Sequence, residues 1–137
     1  MKFAHIALNC VNMPAAIDFY TRHFGFQVTR RLPIGGDLEI VFIGRNDIHL
    51  ELFPTEKQAP ATEADGLATT GTLRHFAFQV ENVVDFLTSM GPDAVITLGP
   101  LDFSSFIPGW HTVWLRDPNG HIIEVTQNYS DADPVSA

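Results

Sequence analysis

A chain of 137 residues with a formal charge of −8 carries eight basic side chains against sixteen acidic ones. Nucleic-acid backbones call for clustered Lys and Arg, and Arg30-Arg31 is the sole adjacent basic pair, which excludes a nucleic-acid surface. At 45% hydrophobic and 18% charged residues, the composition is that of a globular domain burying about 68% of its unfolded surface. The single cysteine, Cys10, permits no intrachain disulfide and fits a reducing, cytoplasmic compartment. No stretch approaches the ~20 apolar residues of a membrane span, and His5, Asn9 and Asn12 interrupt any signal-like apolar run.

Alternation of apolar residues from Phe3 to Val11 predicts a strand. Asn12 is placed to cap a helix with Pro14 in its first turn, Ile17, Tyr20 and Phe24 on one face, and Gly25 as its stop. Strands are expected at Phe26–Leu32, Leu38–Ile43 and Ile48–Phe53, joined by turns at Gly35-Gly36-Asp37 and Gly44-Arg45-Asn46-Asp47. Residues 54–72, rich in Ala, Thr, Glu, Gly and Pro, have no apolar period and read as a linker. The order then recurs as strand Leu73–Val80, an Asn82-capped helix to Met90-Gly91-Pro92, and strands Ala94–Leu98, His111–Arg116 and His121–Gln127. Asp117-Pro118-Asn119-Gly120 supplies the last turn, and a loop from Gly99 to Trp110 is the main segment without a counterpart. The tail, residues 130–137, is polar. The expected fold class is α+β, with two βαβββ modules over residues 1–53 and 73–129. Each is too small to be comfortable alone, and together they would frame a curved eight-stranded cleft.

The repeat also duplicates chemistry. FAHIALN is echoed by LRHFAFQ, which sets His5 against His75, and HLELF by HIIEVTQ, which sets Glu51 against Glu124. Strand parity places His5, Ala7 and Asn9 on one face and Ile6 and Leu8 on the other, with His75, Ala77 and Gln79 repeating the pattern. Glu51 and Glu124 each stand between apolar neighbours that pack on the opposite face. One such histidine or glutamate is ordinarily a solvated or hydrogen-bonded residue. Two imidazoles and two carboxylates at equivalent repeat positions point to a divalent metal site with His5, Glu51, His75 and Glu124 as ligands.

HIALN, AAIDFYTRHFGF, the ELF strand end, RHFAFQV and DPNGHIIEV together resemble the vicinal oxygen chelate superfamily of glyoxalases, bleomycin-resistance proteins and dioxygenases. The resemblance runs from Phe3 to about Tyr129, and the His/Glu/His/Glu set looks most like glyoxalase I. It implies an octahedral ion (Ni²⁺, Zn²⁺, Fe²⁺, Co²⁺ or Mn²⁺) and a lyase or isomerase acting on a small vicinal-oxygen substrate through an enediolate. It also implies a homodimer, a ligating glutamate that doubles as the base (Glu124 first, Glu51 second), and a metal site built from one chain or shared between two. Asn9 stands where glyoxalase I has an Arg, and Thr55 where the family tends to have an Asn, so glutathione recognition departs from the pattern.

The rivals within that fold are an extradiol dioxygenase, whose facial triad offers only one carboxylate, and a drug-binding protein, which lacks the ligands. Methylmalonyl-CoA epimerase typically has Gln where this chain has Glu51. Among the other polar residues, Asn9 and Gln79 lie ~13 Å beyond their histidines, within reach of a substrate's far end. His49 shares the Glu51 face, His111 opens a strand beside Trp110, and His121 falls on the face opposite Glu124. Phe103, Phe106 and Trp110 form either a hydrophobic lid or a subunit contact.

Overall fold

The computed structural model describes residues 1–131; the expected polar tail lies outside the described residues from 132 onward. By contacts the described chain divides into two compact units, residues 1–61 with 117–120, and residues 62–116 with the described residues from His121 on. Each contains one four-stranded sheet and one α-helix.

In the first unit, β1 (Ile6–Cys10) leads into α1 (Met13–Phe24), followed by β2 (Gln27–Gly35), β3 (Leu38–Arg45) and β4 (Ile48–Pro54). Asn12 caps α1 by accepting from Ala15 N at 3.0 Å, and Gly25 ends it in the left-handed conformation at φ 70°, which a residue without Cβ adopts freely. The Arg45 guanidinium donates to the Phe24 carbonyl at 2.8 Å, satisfying an acceptor at the helix's negative end. Ala16, Phe19, Tyr20 and Phe24 are buried on one side of α1, the spacing of a core-facing stripe.

Strand order is β1-β4-β3-β2. β1 runs parallel to β4 with Ala7 opposite Glu51, and β3 runs antiparallel to β4 with Phe42 opposite Glu51. Leu8, Cys10, Val41, Ile43, Leu50 and Leu52 are buried, and α1 packs against β2 and β4. The alternate residues, Ala7, Asn9 and Phe42 among them, face away from that core with Glu51.

The first unit also holds the turn after residue 116. The Tyr20 hydroxyl donates to Asp117 Oδ2 at 2.6 Å in a buried setting. Asn12 N donates to Asn119 Oδ1 at 2.8 Å, and Asn119 Nδ2 returns a bond to the Asn12 carbonyl at 3.0 Å.

The second unit repeats the plan with β5 (Phe76–Gln79), α2 (Val83–Met90), β6 (Ile96–Asp102), β7 (His111–Arg116) and β8 (Ile122–Gln127), in the order β5-β8-β7-β6. Asn82 caps α2 by accepting from Asp85 N at 2.9 Å, and a single 3-10 turn, Gly91–Asp93, follows Met90. Ala77 and Trp114 both pair with Glu124, as Ala7 and Phe42 pair with Glu51.

Three expectations are corrected here. β5 is shorter than Leu73–Val80, and Arg74 and His75 ahead of it bond through their side chains to Asp65. β1 likewise starts at Ile6, so His5 precedes the strand. β6 continues past Leu98 through a register shift, pairing Leu101 with Thr112 and Asp102 with His111, so the irregular loop narrows to residues 103–110. A bulge restored pairing where Gly99 and Pro100 suggested a break.

Candidate metal centre

Each module presents one imidazole–carboxylate pair on the face of its sheet that carries the glutamate. In the first, His5 Nε2 lies 2.6 Å from Glu51 Oε2. In the second, His75 Nε2 lies 3.5 Å from Glu124 Oε1. The sequence-predicted ligands thus come together as His5 with Glu51 and His75 with Glu124. Among the described residues, no three His, Cys, Asp or Glu gather at one point as a ligand group.

Each pair has its own aromatic neighbour, which sequence reading missed. The His5 and Phe42 rings meet edge-on at 6.1 Å, and those of His75 and Trp114 at 5.9 Å. Phe42 and Trp114 are the cross-strand partners of Glu51 and Glu124, so each carboxylate has an apolar wall at its side. The signal lay in the sequence as FIG against WLR ahead of the two glutamate strands, but it needed the β3–β4 and β7–β8 register to be read.

His75 has a second anchor. Its Nδ1 sits 2.6 Å from the Asp65 carbonyl, an atom that only accepts, so Nδ1 carries the proton. In the neutral ring, Nε2 then turns its lone pair toward Glu124. A shared proton or a cation bound by both satisfies two such donors facing each other, and a backbone carbonyl behind the imidazole is the usual outer support of a ligating histidine. The donor chemistry therefore fits a divalent ion.

Asp65 lies in the segment read as a linker. Its carboxylate receives Arg74 Nη1 at 3.0 Å and 3.2 Å. Gly66, at φ 115°, would place a Cβ 1.7 Å from the Arg74 carbonyl oxygen, so this approach requires glycine.

Glu124 is buried at 9% exposure. Burial pushes its carboxyl above the usual range, with Asp65 adding to the rise and His75 and a Thr112 hydrogen bond opposing it. The residues outside the pairs divide plainly. Asn9 and Gln79 are exposed on the expected faces, and His49 lies across from Gly44, whose Cβ would stand 3.0 Å from His49 Nδ1. His111 turns to the surface, 3.5 Å from Asp102. The 720 Å³ cavity of the first unit, lined by Met13, Ile17, Leu38 and Thr55 among others, includes none of the four expected ligands. None of the described helices is long and apolar enough to cross a membrane.

The profile of the Glyoxalase/Bleomycin resistance protein/Dioxygenase superfamily matches residues 2–125. Among solved structures, a glyoxalase family protein from Enterococcus faecalis is 28% identical, with 91% of this chain and 96% of that one covered and a TM-score of 0.68. The trypanothione-dependent glyoxalase I of Leishmania major is 24% identical over 93% of this chain and 87% of that one, with a TM-score of 0.66. The fosfomycin resistance protein FosX of Listeria monocytogenes shares the fold at 12% identity over 94% of each chain, with a TM-score of 0.69. Comparison with curated proteins gives no significant match. With two tandem βαβββ modules and a profile match across nearly its whole length, the chain belongs to the Glyoxalase/Bleomycin resistance protein/Dioxygenase superfamily.

Proposed function

We propose that this protein is a divalent-metal-dependent lyase or isomerase of the glyoxalase type, acting on a small substrate with oxygens on adjacent carbons. His5, Glu51, His75 and Glu124 are the ligands in this reading. The observation that carries it is the facing of His75 Nε2 and Glu124 with Nδ1 anchored on Asp65, repeated in outline by His5 and Glu51. A divalent ion, when bound, supplies Lewis-acid polarisation of the substrate's vicinal oxygens.

Glu124 is the proton acceptor, with Glu51 second. Burial holds its carboxyl above the ordinary range in the metal-free chain, and a bound divalent ion would oppose that rise. Trp114 and Phe42 keep water from one side of each carboxylate, and His75 is held in one tautomer by Asp65. Glutathione is not the favoured carrier, since Asn9 offers no positive charge where glyoxalase I has an Arg. The chain works as a cytoplasmic homodimer in this reading, supported by the exposed apolar side chains Leu32, Ile34 and Leu38 on the β2–β3 hairpin.

Metal analysis of freshly purified protein tests the assignment. One ion per chain is expected, lost in His5→Ala and equally in His75→Ala. Two ions per chain, with each variant losing one, would mean that each pair binds separately. No uptake of Ni²⁺, Zn²⁺, Fe²⁺, Co²⁺ or Mn²⁺ would overturn the reading, and light scattering decides the dimer.

A further inference from the structure

The ligand pairs are duplicated between the modules, but the rings beyond them are not. In the first module the connection from β2 to β3 is a tight turn at Gly36 and Asp37. In the second, residues 103–110 separate β6 from β7 and bring in Phe103, Phe106 and Trp110. Their placement follows from register. Trp114 pairs with Glu124 across β7 and β8 and so shares its face. Thr126, two residues beyond Glu124 on β8, shares it too, and Trp110 Nε1 donates to Thr126 Oγ1 at 2.6 Å.

Phe103 bridges the two indoles, 5.1 Å from Trp110 and 6.3 Å from Trp114. The row is continuous from His75 through Trp114 and Phe103 to Trp110, and on to Tyr129 at 5.7 Å. Phe103 and Trp110 remain partly exposed. The one polar atom of the Trp110 ring is already bonded to Thr126, and its ring packs against Phe103 and Tyr129, so the part of it that remains exposed is apolar.

We propose that this row is the specificity wall of the site, and that the substrate carries an aryl group next to its vicinal oxygens, as in an aryl hydroxy-carbonyl or hydroxy-acid. The inference rests on the metal-site reading above. In that reading the duplicated pairs hold the ion, and the unduplicated row next to Glu124 is the element that meets the rest of the substrate. Planar rings at edge and tilted angles receive another planar ring with electrostatic fit as well as buried area, while a methyl or hydroxymethyl group would leave the wall half-wetted.

The probes are mandelate and lactate, which have the same hydroxyl and carboxylate oxygens and differ by phenyl against methyl. Binding is measured by calorimetry on zinc-reconstituted protein. Mandelate is expected to bind roughly tenfold or more tightly than lactate. Phe103→Leu, and separately Trp110→Leu, should reduce that ratio to about threefold or less with the lactate Kd unchanged. Equal affinities, a ratio that survives both substitutions, or no binding of either acid to protein that holds its zinc would overturn the aryl assignment. Failure to take up zinc at all would instead overturn the metal reading on which it rests.

Discussion

The Nδ1 of His75 is bonded to the main-chain carbonyl of Asp65 across 2.6 Å, which leaves Nε2 as the nitrogen turned to Glu124. One backbone oxygen thus sets the tautomer of an imidazole ten residues away, and it does so from a segment with no regular structure. Such outer contacts commonly govern metal affinity by 10- to 100-fold.

Gly66→Ala is the cleanest perturbation of that contact, since the added Cβ meets the Arg74 carbonyl oxygen at 1.7 Å. The φ of 115° alone disfavours alanine by about 1–3 kcal/mol. Urea unfolding should show at least that loss, and chelator competition should show zinc affinity reduced by about 10-fold or more. Unchanged affinity would mean that Asp65 does not position His75.

Glu124→Gln keeps the side chain's shape and removes its basicity. With 2-hydroxyacetophenone and zinc-loaded protein, solvent deuterium entering the carbon beside the carbonyl reports the proton transfer. The exchange rate should fall on the order of 10²–10⁴-fold, beyond what the accompanying loss of zinc occupancy accounts for. A rate that tracks occupancy alone would leave Glu124 as a ligand and move the base to Glu51.

Tyr20 is fully buried, and its hydroxyl donates to Asp117. Burial first, then the Asp117 charge and hydrogen bond, push the phenol well above its ordinary value. The unfolded chain releases this proton near pH 10 and the native protein holds it, so the native state binds more protons there. Stability is therefore full below pH 10 and declines as pH rises beyond it. Tyr20→Phe should cost about 1.5–3 kcal/mol at pH 7 and flatten the alkaline decline, both read from denaturant curves.

Burial pushes the Cys10 thiol up to about 12, with Asp117 adding to the effect. At 2% exposure it should resist iodoacetamide in native protein at pH 8 and react fully in urea. Fast native labelling, followed by mass spectrometry, would contradict this packing.

Much of the molecule was legible in the chain because its signals are local. Asn12 and Asn82 cap their helices through bonds three residues away, and Gly25 stops α1 as its backbone freedom allows. Period-two alternation correctly put Leu8 inside and Ala7 and Asn9 outside, because the side-chain direction of a strand follows from parity alone. The repeat itself singled out His5, Glu51, His75 and Glu124, which the fold brings together as two separate pairs. What parity cannot supply is register, the sideways pairing of strands distant in sequence. Only the fold set Phe42 beside Glu51 and Trp114 beside Glu124, carried β6 through a bulge past Pro100, and brought the Asp65 carbonyl to His75. Those contacts depend on how chain segments meet in space, and a composition rich in Ala, Thr and Gly gives no period from which to read that meeting.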